Sequence, residues 1–131
     1  MHLQLINTWL QQQFSDLIAA YLFGSYSQGT QNKESDIDLA ILVPRKVDAA
    51  TLWQQSLELS DLVKKDIDLI NLLDVSTVFQ FQITSTGQRI VCNHPSEAEA
   101  YETLVFTKYV KLNEARAGIL NDIKQRGSIY G

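Results

Sequence analysis

The chain has 131 residues, of which 45% are hydrophobic, and its 11 Lys and Arg against 15 Asp and Glu give a net charge of −4. That length and composition suit one packed domain and exclude a disordered chain, a collagen-like repeat and a disulfide-stapled miniprotein. The acidic balance supplies no broad basic face for nucleic acid, and the one cysteine, Cys92, has no partner for an internal disulfide.

Leu3, Ile6, Trp9, Leu10 and Phe14 fall at helical spacing and predict an amphipathic first helix. Residues 16–23 turn continuously apolar and read as a buried strand, which Gly24 stops. After a polar turn, residues 36–43 form a second strand, closed by Pro44, which cannot donate to a ladder. Leu52, Trp53, Leu57, Leu59 and Leu62 give a helical stripe over 49–63, and residues 66–72 a third strand. A short helix over 76–86 ends before Gly87, and residues 88–92 read as an edge strand. Pro95 and Ser96 open a last helix running to about residue 124, where Ser96 and Glu99 have capping-box spacing. Tyr101, Leu104, Val105, Tyr109, Leu112 and Ile119 mark its apolar side. Strands alternating with helices predict an α/β fold. The tetrapeptide Asp-Ile-Asp-Leu occurs at 36–39 and 66–69, but its flanks do not match, so it is no internal repeat.

The chemistry concentrates in residues 23–38. Asp36 and Asp38 lie two apart on a strand, so both carboxylates leave the same face, with Cβ atoms about 6.5–7 Å apart. Ile37, Leu39, Ile41 and Val43 fill the opposite face and predict core. Two like charges at the start of an apolar strand cost stability unless a cation neutralises them. Carboxylate oxygens without nearby His or Cys suit Mg²⁺ or Mn²⁺. Asp68 has the same alternation on the third strand, and a neighbouring position would bring it to the same sheet end. Asp66 points to that face too, but Asp68 lies one step deeper. Three converging carboxylates suit a two-metal site for phosphoryl or nucleotidyl transfer. Gly24 after the first strand admits close backbone approach, and Ser25 would open a short helix whose amides cradle phosphate.

Gly24-Ser25, ten residues, then Asp36-x-Asp38 resembles the G-S-x10-D-x-D signature of the DNA polymerase β-like nucleotidyltransferase superfamily. With 6 Gly, 10 Ser and 9 Asp, roughly 0.002 such matches are expected by chance, so the pattern is specific. The short length makes the chain similar to the minimal nucleotidyltransferases, above all the MntA-like antitoxins of bacterial HEPN/MNT toxin–antitoxin pairs. The resemblance implies one minimal nucleotidyltransferase domain over 1–131: a small mixed sheet flanked by helices, with a long C-terminal helix. It further implies a metal-dependent transfer of AMP from ATP to a tyrosine hydroxyl of a partner HEPN ribonuclease, silencing that toxin. In the implied site Gly24 and Ser25 hold the triphosphate, and Asp36 and Asp38 ligate two Mg²⁺ ions, for which Mn²⁺ substitutes. Asp68 completes one metal site and helps deprotonate the hydroxyl. Many relatives carry Arg or Lys where this chain has Gln28, and Lys33, Arg45 or Lys46 are the available compensating cations.

Two other readings stand beside this one: an antitoxin that only covers its toxin, and an enzyme modifying a small hydroxylated antibiotic. No membrane or direct nucleic-acid contact is expected, pairing of the chain with itself stays open, and the absence of a signal-peptide pattern makes the cytoplasm the expected compartment. Among the remaining residues, Trp9 and Trp53 read as core, and Cys92 as a buried thiol. His2 and His94 have no partner at metal spacing. Asp68 could instead be a structural ion pair with Lys64 or Lys65. The tail over 126–131 reads as a disordered end or a docking segment.

Overall fold

The computed structural model describes residues 2–24 and 36–125, with side chains through 119. Four strands, β1 (Ala19–Phe23), β2 (Ile37–Leu42), β3 (Ile67–Asn71) and β4 (Gln88–Cys92), form one mixed sheet in the order β3-β2-β1-β4. β1 runs antiparallel to β2 and β4, whereas β2 and β3 are parallel. A parallel pair needs a crossover, and α2 (Ala49–Val63) supplies it. Among the described residues β4 pairs only with β1, which makes it an edge strand there, as its short apolar run predicts.

The alternation of each strand divides the core in two. Ala20, Leu22, Leu39, Ile41 and Leu69 face α1 (Leu3–Gln13) and α2, whose Ile6, Trp9, Leu10, Leu52 and Leu59 complete one cluster. Ala19, Tyr21, Ala40 and Leu42 face α3 (Thr77–Thr86) and α4 (Pro95–Gln125), through Ile83, Ala98 and Tyr101. The carboxylates at 38 and 68 belong by parity to the second face, whereas Asp36, expected within the second strand, lies just before β2 and borders the hollow on the α2 side.

Three expectations change. Trp53 is 67% exposed, because the buried stripe of α2 is Leu52, Ser56, Leu59 and Val63. A serine inside that stripe disguises it, and the rotation that buries Ser56 turns Trp53, Leu57 and Leu62 outward. α4 starts at Pro95, as expected, but Ser96 lies inside its first turn rather than capping it: the Ala98 amide donates to His94 O at 2.9 Å, with proline in the first position, where its missing N–H costs nothing. Its 31 residues span about 46 Å, far longer than the sheet, so Leu104 and Ile119 are exposed while Ala98 and Val105 are buried. Cys92 is only partly buried, on the edge strand. Among the described residues no helix is long and apolar enough to cross a membrane.

Candidate active site

Strand register builds the site. Phe23 on β1 pairs with Asp38 on β2, and Asp38 pairs with Asp68 on β3. These three positions form a row across one end of the sheet, where β1 ends and β2 and β3 begin. The Ile37 amide donates to Asp66 O at 2.9 Å and carries the ladder one position beyond that row.

Gly24 sits immediately past the row with φ +73°. A β-carbon there would overlap Asp38 Oδ2, so only glycine lets the chain pass this close to the carboxylate. Phe23, Gly24, Asp38 and Asp68 line one hollow of about 310 Å³, which α3 closes with Phe79, Gln82, Ile83 and Thr86. Asp68 also borders a second hollow of about 290 Å³, lined by Asp36, Asp66 and the exposed Trp53.

Burial pushes the Asp38 carboxyl above its ordinary range, and the nearby charges of Asp68 and then Asp36 push it further. Asp38 therefore feels both partners that the sequence pairs with it. Among the described residues, no group of three or more carboxylate, imidazole or thiol side chains is placed to hold a metal ion by itself. A site shared with substrate needs none: Mg²⁺ takes one or two protein carboxylates and fills its octahedron with phosphate oxygens and water. A crowded all-oxygen donor set, in which the charges of Asp68 and Asp36 oppose that of Asp38, fits such an ion.

Two of the candidate cations, Lys64 and Arg45, have other partners. Lys64 pairs with Asp61 at 3.6 Å. Arg45 donates to Asp16 at 2.7 Å, and its backbone oxygen accepts from Asn71 at the far end of β3. That end of the sheet is opposite the carboxylate row, so neither Arg45 nor its neighbour Lys46 compensates for Gln28. Ser25, Gln28, Lys33 and the tail 126–131 lie outside the described residues.

The sequence reading passes over two serines that position Asp68. Ser56 Oγ donates to Ile67 O, and the Ile67 amide donates to Ser60 Oγ at 2.8 Å, while Ser60 Oγ donates to Ser56 O at 2.7 Å. Together they clamp the start of β3 to α2. Hydroxyls on a helix carry no distinctive sequence signal for such a role, although a serine four residues from another on a buried stripe hints at it.

Residues 4–96 match the family described as Polymerase beta, Nucleotidyltransferase, and the chain belongs to that family. A relative at 32% identity over 114 residues is the protein adenylyltransferase MntA of Shewanella oneidensis, with 87% of this chain and 81% of that protein covered. Among solved structures, a toxin–antitoxin crystal structure with AMP-PNP contains a chain that superposes with TM-score 0.83 at 31% identity, covering 94% of this chain and 98% of that one. A chain of the tri-AMPylated Shewanella oneidensis HEPN toxin in complex with its MNT antitoxin gives TM-score 0.77 at 27% identity, with 93% and 95% covered. The mixed sheet and the long last helix are therefore those of this nucleotidyltransferase fold.

Proposed function

We propose that the chain is an antitoxin that transfers AMP from ATP to a tyrosine hydroxyl of a partner HEPN toxin. The observation that carries this reading is the meeting of Gly24, Asp38 and Asp68 on one hollow, in a chain similar to an adenylyltransferase and to the antitoxin of an AMPylated complex.

The residues divide the work as follows. Gly24 and Ser25 receive the triphosphate, with Lys33, between Ser25 and Asp36 in the sequence, as a candidate cation. Asp36, Asp38 and Asp68 hold two Mg²⁺ ions, or Mn²⁺ in their place, which when bound offset charge on the phosphate oxygens. Asp68 also stands between the two hollows and accepts the proton of the attacking hydroxyl. The hydroxyl oxygen bonds to the α-phosphorus, the bond from that phosphorus to the bridging oxygen breaks, and pyrophosphate leaves. Most of the rate then comes from positioning and charge compensation rather than covalent chemistry. All of this fits within one minimal domain over 1–131 acting in the cytoplasm.

The test uses the purified chain, Mg²⁺, α-labelled ATP and the HEPN partner. Label on the toxin that disappears with Asp36→Asn plus Asp38→Asn supports the reading. An unlabelled toxin that is nevertheless silenced by the double variant makes the chain a covering antitoxin instead. Label on an aminoglycoside but not on the toxin assigns it to small-molecule modification.

A further inference from the structure

We infer that the exposed side of α3 is the nucleobase subsite, with Phe79 as the stacking surface and Gln82 as the group that selects adenine. This deepens the adenylyltransferase reading and rests on it.

Phe79, Gln82 and Thr86 fall at i, i+3 and i+7, so they share one helix face, and all three line the hollow that also holds Gly24, Asp38 and Asp68. The phosphate and metal ligands are thus supplied by strand ends, and the remaining wall comes from α3. At about 310 Å³ the hollow is at the lower end of small-ligand sites, a size suited to a nucleoside.

Phe79 is a large aromatic left 39% exposed, although it sits beside the core. Its ring meets Phe23 nearly at right angles, with centroids 5.7 Å apart, which fixes its tilt without covering it. A fixed, partly open ring beside a phosphate-facing carboxylate is a platform for a base, because every base offers a π-face. One turn on, the Gln82 side-chain amide makes no hydrogen bond to any described residue; only its backbone oxygen accepts, from Thr86 Oγ1. An amide offers a donor and an acceptor together, which matches the N6 amine and ring nitrogen of adenine. It mismatches guanine, whose corresponding edge carries two acceptors.

The experiment measures equilibrium binding of ATP, GTP and inorganic tripolyphosphate, each with Mg²⁺, to the full chain. The variants are Phe79→Ala, Phe79→Tyr and Gln82→Ala, each checked for a native melting transition. Phe79→Ala should weaken ATP and GTP alike by about tenfold or more, with tripolyphosphate unchanged and Phe79→Tyr near wild type. Gln82→Ala should weaken ATP alone and bring the ATP-to-GTP ratio towards unity. Unchanged ATP affinity in both alanine variants, with wild type binding ATP, overturns the subsite and leaves the adenylyltransferase reading intact. A wild-type chain that binds neither ATP nor tripolyphosphate overturns both.

Discussion

Gly24 lies against the carboxylate of Asp38 so closely that a β-carbon at position 24 would overlap Oδ2. The positive φ of Gly24 adds a second obstacle, since an L side chain in that region costs roughly 1–2 kcal/mol. Gly24→Ala should therefore lower the unfolding free energy by about 1–3 kcal/mol in urea titration. Because the methyl displaces Asp38, transfer of AMP should fall by about tenfold or more, well beyond what a small loss of stability explains. An alanine variant with a wild-type rate would show that the position of Asp38 does not govern the reaction.

At Asp38, burial and then the charges of Asp68 and Asp36 all oppose the ionised carboxylate. Removing that charge should move stability and activity in opposite directions. Asp38→Asn is expected to raise the melting temperature by a few degrees, an effect on the order of 1 kcal/mol. It should also lower AMP transfer by about a hundredfold or more if Asp38 holds a metal ion as proposed above, because charge compensation at the phosphates is then lost. Added Mg²⁺ with ATP should stabilise wild type and leave the asparagine variant nearly unmoved. Calorimetry with and without Mg²⁺ and ATP reads both effects, and a variant that melts lower than wild type would contradict the electrostatic account.

Much of this site was legible because its determinants are local. Asp36 and Asp38 declare their proximity by spacing alone, although β2 begins at Ile37 and leaves Asp36 just outside the strand, and Gly24 declares a close approach by its place after a buried strand. Choosing Asp68 over Asp66 needed one further assumption, that the third strand pairs beside the second in register, and the pairing of Asp38 with Asp68 meets it. What the sequence hid depends on how helices rotate. Trp53 looks apolar and falls near a stripe, yet the buried side of α2 passes through Ser56, whose hydroxyl is satisfied by Ile67 O. Phe79 and Gln82 gave no signal for the same reason: their value comes from facing the carboxylate row across a hollow that only tertiary packing creates.

Glu102 on α4 joins two other elements. Its Oε2 accepts from the buried Tyr21 hydroxyl on β1 at 2.9 Å and from Arg89 on β4 at 2.7 Å. Glu102→Ala leaves the Tyr21 hydroxyl enclosed without its acceptor, and a cost of about 1–3 kcal/mol follows. Glu102→Gln keeps an acceptor oxygen and should lose less than half as much. Urea unfolding of the three proteins checks this order. Equal losses for the two variants would show that charge rather than hydrogen bonding dominates.

The same face of the sheet sets the alkaline limit of the fold. Burial raises the Tyr101 hydroxyl from 10.0 to about 12, and burial followed by the Glu102 hydrogen bond raises Tyr21 as well. A folded pKa above the unfolded one means that the native state holds its proton longer. The associated stability is fully present below pH 10, the unfolded value, and is lost as pH climbs from 10 through the folded pKa of about 12. Unfolding free energy should therefore stay level to about pH 9 and then decline steeply. Tyr101→Phe removes one titrating hydroxyl and should make that decline shallower. Its neutral-pH stability should drop by about 1 kcal/mol, because the 2.7 Å hydrogen bond to Gln80 is lost. Urea titrations at pH 8, 10 and 11 read both slopes, and a wild-type curve that stays flat to pH 11 would contradict the burial of these hydroxyls as the cause.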